Sequence, residues 1–73
     1  MELKELKERA EQLWKEQYRE VLEMRETFGH HDEGTERAYA KLCHIEETIS
    51  WITGDVICDY EYDKWMNEVR EEV

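Results

Sequence analysis

Five side chains in this sequence have the chemistry to ligate a soft metal ion or to act in nucleophilic catalysis: His30, His31, Cys43, His44 and Cys58. Structural zinc sites place their ligands in pairs a few residues apart, as in C-x-x-C or H-x-x-x-H. Here His30 and His31 are adjacent and the two cysteines are fifteen residues apart, so no metal site and no cofactor is expected. The histidine pair reads instead as part of a solvated loop, and the cysteines as half-buried thiols. Cys43 beside His44 suggests a thiolate–imidazole pair. Adjacent residues on a helix diverge by about 100°, however, and no third group orients them. Carboxylates abound, yet no pocket is recognisable that would tune one of them for acid–base work. A non-enzymatic protein is expected.

The remaining chemistry is that of binding. Residues 54–73 carry seven acids against two bases, which is half of the net charge of −10 on about a quarter of the chain. The acids are threaded between Tyr60, Tyr62, Trp65 and Met66, amphipathic side chains of the kind that anchor interfaces. Carboxylates three or four residues apart on a helix lie about 5–6 Å from one another, comparable to phosphates along a nucleic-acid strand. Asp55, Asp59, Glu61, Asp63, Glu68, Glu71 and Glu72 could therefore act as a partial nucleic-acid mimic. The bland alternative is that they only keep the protein soluble.

The elements that position these residues are read from apolar spacing. Pro is absent and Gly occurs only at 29, 34 and 54, which favours helices. Apolar residues at 3, 6, 10, 13, 14, 21, 24 and 28 fall within one face about 100° wide, predicting a long amphipathic helix over 2–28. On its outer surface Glu5–Arg9 and Glu11–Lys15 have the favourable acid-first spacing of four, the usual mark of a solvated face. Gln17 lies within the stripe and is expected at a wet edge, the other reading being a buried amide that fixes register. Gly29 suits a left-handed helix end, and Thr35 can cap a second helix over 35–53. Ala38, Leu42, Ile45, Ile49 and Ile52 form the seam of that helix. Gly54 ends it. Residues 56–62 read either as a short strand or as the entry to a third helix. With no partner strand in the chain the helix is preferred, capped by Asp59 and running over 59–71. Leu13, Val21, Leu42, Ile45 and Ile49 are the expected core.

The expected fold is therefore all-α: a long helical hairpin with a short third helix, a small three-helix bundle forming one domain over 1–73. The first helix, roughly 40 Å long, outreaches the second at roughly 28 Å, so Leu3 and Leu6 need another cover. The third helix or a second copy of the chain meets that need. Trp51 projects about 140° from the seam of the second helix. A middle helix touches two neighbours, so the third helix is expected to cover Trp51. The other reading is an exposed anchor for a partner or a second subunit. Tyr18 and Leu22 sit at or outside the edge of the first stripe. With Leu3 and Trp51 they suggest a homodimer.

No apolar run approaches the ~20 residues of a membrane span, and the net charge of −10 opposes binding to anionic lipid or directly to nucleic acid. The N-terminus lacks an apolar leader-like stretch and the thiols are few, so a cytoplasmic setting with reduced cysteines is expected. A basic protein surface is the natural complement. The functional expectation is an acidic interaction protein that inhibits or modulates a basic nucleic-acid-processing protein by occupying its phosphate-binding surface, as small viral or mobile-element inhibitors do. The partner-binding residues expected are Trp51, Asp59, Tyr60, Glu61, Asp63, Trp65 and Glu68. The alternative is a self-assembling helical module whose acidity only gives solubility.

Overall fold

A computed structural model describes residues 2–54 and 57–72; Asp55 and Val56, which entered the reading of the third segment, lie outside them. The described residues form three α-helices and no strand: α1 over Leu3–Phe28, α2 over Glu33–Thr53 and α3 over Asp59–Glu71. The chain is a small three-helix bundle. Its longest dimension, 39 Å, matches the length of α1, about 39 Å at 1.5 Å per residue.

Helix boundaries follow local chemistry. Gly54 takes the left-handed conformation (φ 63°, ψ 44°), which lets its N–H close on the Ser50 carbonyl. Gly29 has positive φ but an extended ψ of 169°, departing from the left-handed cap expected of it, although its N–H still reaches Arg25 O. The cap of α2 is Asp32, whose carboxylate accepts from the Gly34 N–H at 2.9 Å. Thr35, expected in that role, is instead buried inside the first turn with its hydroxyl unpaired. Asp59 likewise opens α3 from within. The N-cap is Cys58, whose carbonyl accepts from the amides of Glu61 and Tyr62.

The arrangement of the helices differs from the expected one in a single decisive respect: α1, not α2, is the middle helix. Both α2 and α3 pack against α1, and the described residues of α2 and α3 make no close backbone approach to each other. Contacts of 14 with 46 and 17 with 38 show that α2 runs antiparallel to α1. Contacts of 7 with 61, 15 with 68 and 19 with 72 show that α3 runs parallel to it.

A middle helix must bury two flanks, and the buried stripe of α1 is accordingly turned toward α3. Ala10, Trp14, Gln17, Tyr18 and Val21 are inside. Tyr18, expected at an interface between copies, lies under α3, where the Arg70 Nε donates to its hydroxyl at 2.9 Å. Leu13, expected in the core, is 49% exposed, and Ile45 is half-buried; Val21, Leu42 and Ile49 are core as expected. Gln17 is not at a wet edge. Its amide is buried and donates to the Ala38 carbonyl at 3.0 Å, tying α1 to the backbone of α2.

Trp14→Ala is expected to lower stability by about 3–5 kcal/mol, against less than about 1 kcal/mol for Leu13→Ala, a partly exposed site. Urea melts followed by far-ultraviolet circular dichroism measure both. Equal losses would contradict the rotated stripe.

Candidate partner-docking surface

The acids of α3 and its C-cap residue Glu72 divide into two rows with different chemistry. Along the edge facing α1, Glu61 pairs with Lys7 (3.7 Å), Glu68 with Lys15, and Glu72 with Arg19 through two hydrogen bonds of 2.8 Å each. This ladder runs the length of the helix. Lys15 is the most enclosed of its bases and also reaches Glu11 at 3.6 Å, the pair expected from sequence spacing. Burial works to lower the Lys15 pKa, but the hydrogen bond to Glu68 and the charges of Glu11 and Glu68 outweigh it, and the net shift is upward. The hydrogen bond from Lys15 holds the Glu68 carboxyl below its ordinary range, and that from Arg19 does the same for Glu72.

On the outward row stand Asp59, Tyr60, Asp63 and Glu71, all exposed and, among the described residues, outside the ion-pair ladder. Tyr60 is 75% exposed. A shallow recess of about 280 Å³ lies between Tyr60, Asp63, Lys64, Asn67, Glu68 and Glu71. The geometry is that of an exposed tyrosine beside carboxylates that form no ion pair among the described residues, with Lys64 as the one base lining the recess.

The residues expected to bind a partner are thus distributed over three settings. Asp59, Tyr60 and Asp63 share the outward face of α3. Glu61 and Glu68 are committed to α1, although Glu68 still borders the recess. Trp65 is a correction: at 4% exposure it lies in the core, 6.0 Å from Trp14 and edge-on to Tyr62 at 5.3 Å, and is not offered to a partner. Trp51 stands on α2, 86% exposed. The third helix does not cover it, because α3 packs on α1. It does not line the recess beside Tyr60 either.

Lys7 and Arg19 were not singled out from the sequence, and Lys15 only as the partner of Glu11 on a face of α1 that reads as solvated. The signal available was their position beside Tyr18 and Leu22, the two apolar residues outside the first stripe. Bases bordering such a strip mark a seat for an acidic helix.

No group of three or more His, Cys, Asp or Glu residues converges on a cation position among the described residues, and both cysteines are free and exposed. A recess of about 540 Å³ at the C-terminal ends of α1 and α3 is lined by Arg19, Arg25 and Arg70 with Glu23, Glu26 and Glu72 over Leu22 and Val69. Its opposite charges are equal in number, and it holds no nucleophile beside a base. No described helix is long and apolar enough to cross a membrane.

The ladder implies a pH dependence. Carboxyls whose pKa is depressed on folding add stability that is present above their unfolded pKa and is lost as pH falls through the folded one. Thermal melts should therefore show the midpoint declining as the solution is acidified through and below the ordinary carboxylate range. Glu68→Gln should shrink the decline. An acid limb of the same depth in the variant would mean that the Lys15–Glu68 pair does not contribute to it.

No protein-family model, no curated protein sequence and no solved structure matches this chain.

Proposed function

We propose that this protein is a non-enzymatic acidic interaction protein that docks through the outward face of α3 onto a basic surface of a nucleic-acid-processing protein, covering the site that phosphate would occupy. The observation that carries the reading is the division of α3 and its C-cap: Glu61, Glu68 and Glu72 pair with bases of α1, while Asp59 and Asp63 flank the exposed Tyr60 and Glu71 stands farther along the same row, none of the three with an ion-pair partner among the described residues. Carboxylates at helical spacing supply long-range attraction to a basic cleft and speed encounter. A tyrosine among them supplies area that can be desolvated on contact, the part of an interface that holds. In this reading the protein inhibits or modulates its partner as a partial nucleic-acid mimic. Its origin in a virus or mobile element is an analogy from size and charge.

The competing reading is a self-assembling helical module in which acidity gives solubility alone. Exposed Trp51, Ile52 and Leu13 favour it, since each leaves apolar surface in water that an assembly would cover.

Affinity capture from lysate followed by competition separates the two. A bound protein held at its phosphate site is released by heparin or duplex DNA, and its retention falls steeply as ionic strength rises. Asp59→Lys combined with Asp63→Lys should abolish that retention, and Tyr60→Ala should weaken it, both without changing the helical circular dichroism spectrum. Capture that is indifferent to heparin and unchanged in the charge-reversed chain would refute docking through α3.

A further inference from the structure

On the side of the α1–α2 hairpin remote from α3 lies a groove of about 160 Å³ whose walls are almost wholly carbon, formed by Leu6, Ala10, Leu13, Ile49 and Ile52 with Arg9 at its rim. Leu13 and Lys15, the latter facing α3, lie about 160° apart around α1. The groove and the acidic row of α3 therefore belong to opposite sides of the molecule. Leu13 and Ile52 are about half exposed there.

The flanks of this groove carry a matched pattern. On α1 the row is Arg9, Leu13, Glu16, Glu20; on α2 it is Lys41, Ile45, Thr48, Ile52; both have spacings of four, three and four. Residues at this spacing share one face of a helix, and the apolar members of the two rows are Leu13, Ile45 and Ile52. Charge is divided unequally between them: the α1 row, which Glu2 and Glu23 continue at the same spacing, holds Arg9 among acids, whereas the charged member of the α2 row is the base Lys41. A second copy that lays its α2 over this α1 therefore brings a base to acids.

The register favours the same occupant. The Trp14–Glu46 and Gln17–Ala38 hydrogen bonds set the antiparallel alignment of the hairpin, which places Lys41 level with the interval between Glu16 and Glu20. A two-fold rotation about an axis parallel to the helices carries α1 of one copy over α2 of the other at the same level. Leu13 then meets Ile45 of the second copy, and Glu16 and Glu20 meet its Lys41. Every neighbouring pair of helices in the resulting four-helix core is antiparallel, the arrangement that opposes their dipoles favourably.

We infer that the α1–α2 face is a homodimer interface, in which a second copy of this chain closes the Leu6–Leu13–Ile52 groove and pairs its Lys41 with Glu16 and Glu20. This goes beyond the docking surface on α3, which it leaves open on both outer sides, so that the dimer presents that surface twice.

Sedimentation equilibrium of the full chain, from micromolar to millimolar concentration at physiological ionic strength, tests the inference. The expected result is a mass of two chains. Leu13→Glu and Ile52→Glu, at half-exposed positions that tolerate the change, should each return the mass to one chain with the helical spectrum retained. Lys41→Glu should weaken the dimer and added Glu20→Lys should restore it. Tyr60→Ala should leave the mass at two chains, which keeps this result separate from partner docking. A wild-type chain that is monomeric throughout, a Leu13→Glu chain that remains dimeric, or a Lys41→Glu chain that dimerises as well as wild type would overturn it.

Discussion

The fold depends on the placement of Trp14. Its ring is 1% exposed and stacks on Tyr18 at 5.0 Å, while Tyr62 and Trp65 from α3 approach it at 5.9 Å and 6.0 Å. On its other side the indole N–H donates to Glu46 of α2 at 2.9 Å. A buried indole needs an acceptor for its one donor, and a large ring dominates whatever it packs against. Trp14 thus joins all three helices from a single position on α1. Since α2 and α3 meet chiefly through α1, the double burden of that helix follows: Tyr18 turns inward, Leu13 turns outward, and the face holding Lys7, Lys15 and Arg19 becomes a seat.

The parallel course of α3 on α1 explains why the seat is charged. Two parallel helices side by side bring like ends of their dipoles together, which disfavours the arrangement. Bases on α1 facing acids on α3 offset it locally, with an aromatic layer beneath. The acidity of the C-terminal segment therefore has two physical roles. One row completes the fold, and the other remains to give the molecule its external field. Bulk composition merges the two, and the ion-pair geometry separates them.

Helix limits were legible in the sequence because they depend on neighbours along the chain. Gly54 and the period of Ala38, Leu42 and Ile49 mark α2, and the segment 59–71 coincides with α3. The choice between Asp32 and Thr35 as cap was not legible, since both side chains carry a suitable oxygen and sit three residues apart. The order of packing was hidden for a different reason. Tyr18 and Leu22 widen the apolar face of α1 equally well whether a third helix or a second chain covers them. Trp65 misled by its type: a large amphipathic ring serves a core or an interface, and only its proximity to Trp14 decides. Of the candidate surface, Asp59, Tyr60 and Asp63 were readable as exposed acid and aromatic, while the commitment of Glu61 and Glu68 to bases some fifty residues earlier was not.

Because α3 is held to α1 alone, it is the part of the molecule expected to open first. Gln17–Ala38 and Trp14–Glu46 do not involve it, whereas its own ties, the aromatic layer, the Arg70–Tyr18 hydrogen bond and the ion-pair ladder, all run to α1. Amide protons of α3 would then exchange through openings cheaper than global unfolding. Each such opening uncovers Trp14 and Trp65 together. A ligand that recognised only the seated helix would close this equilibrium by mass action, so that its occupancy and the protection of the inner aromatic layer would become one linked quantity.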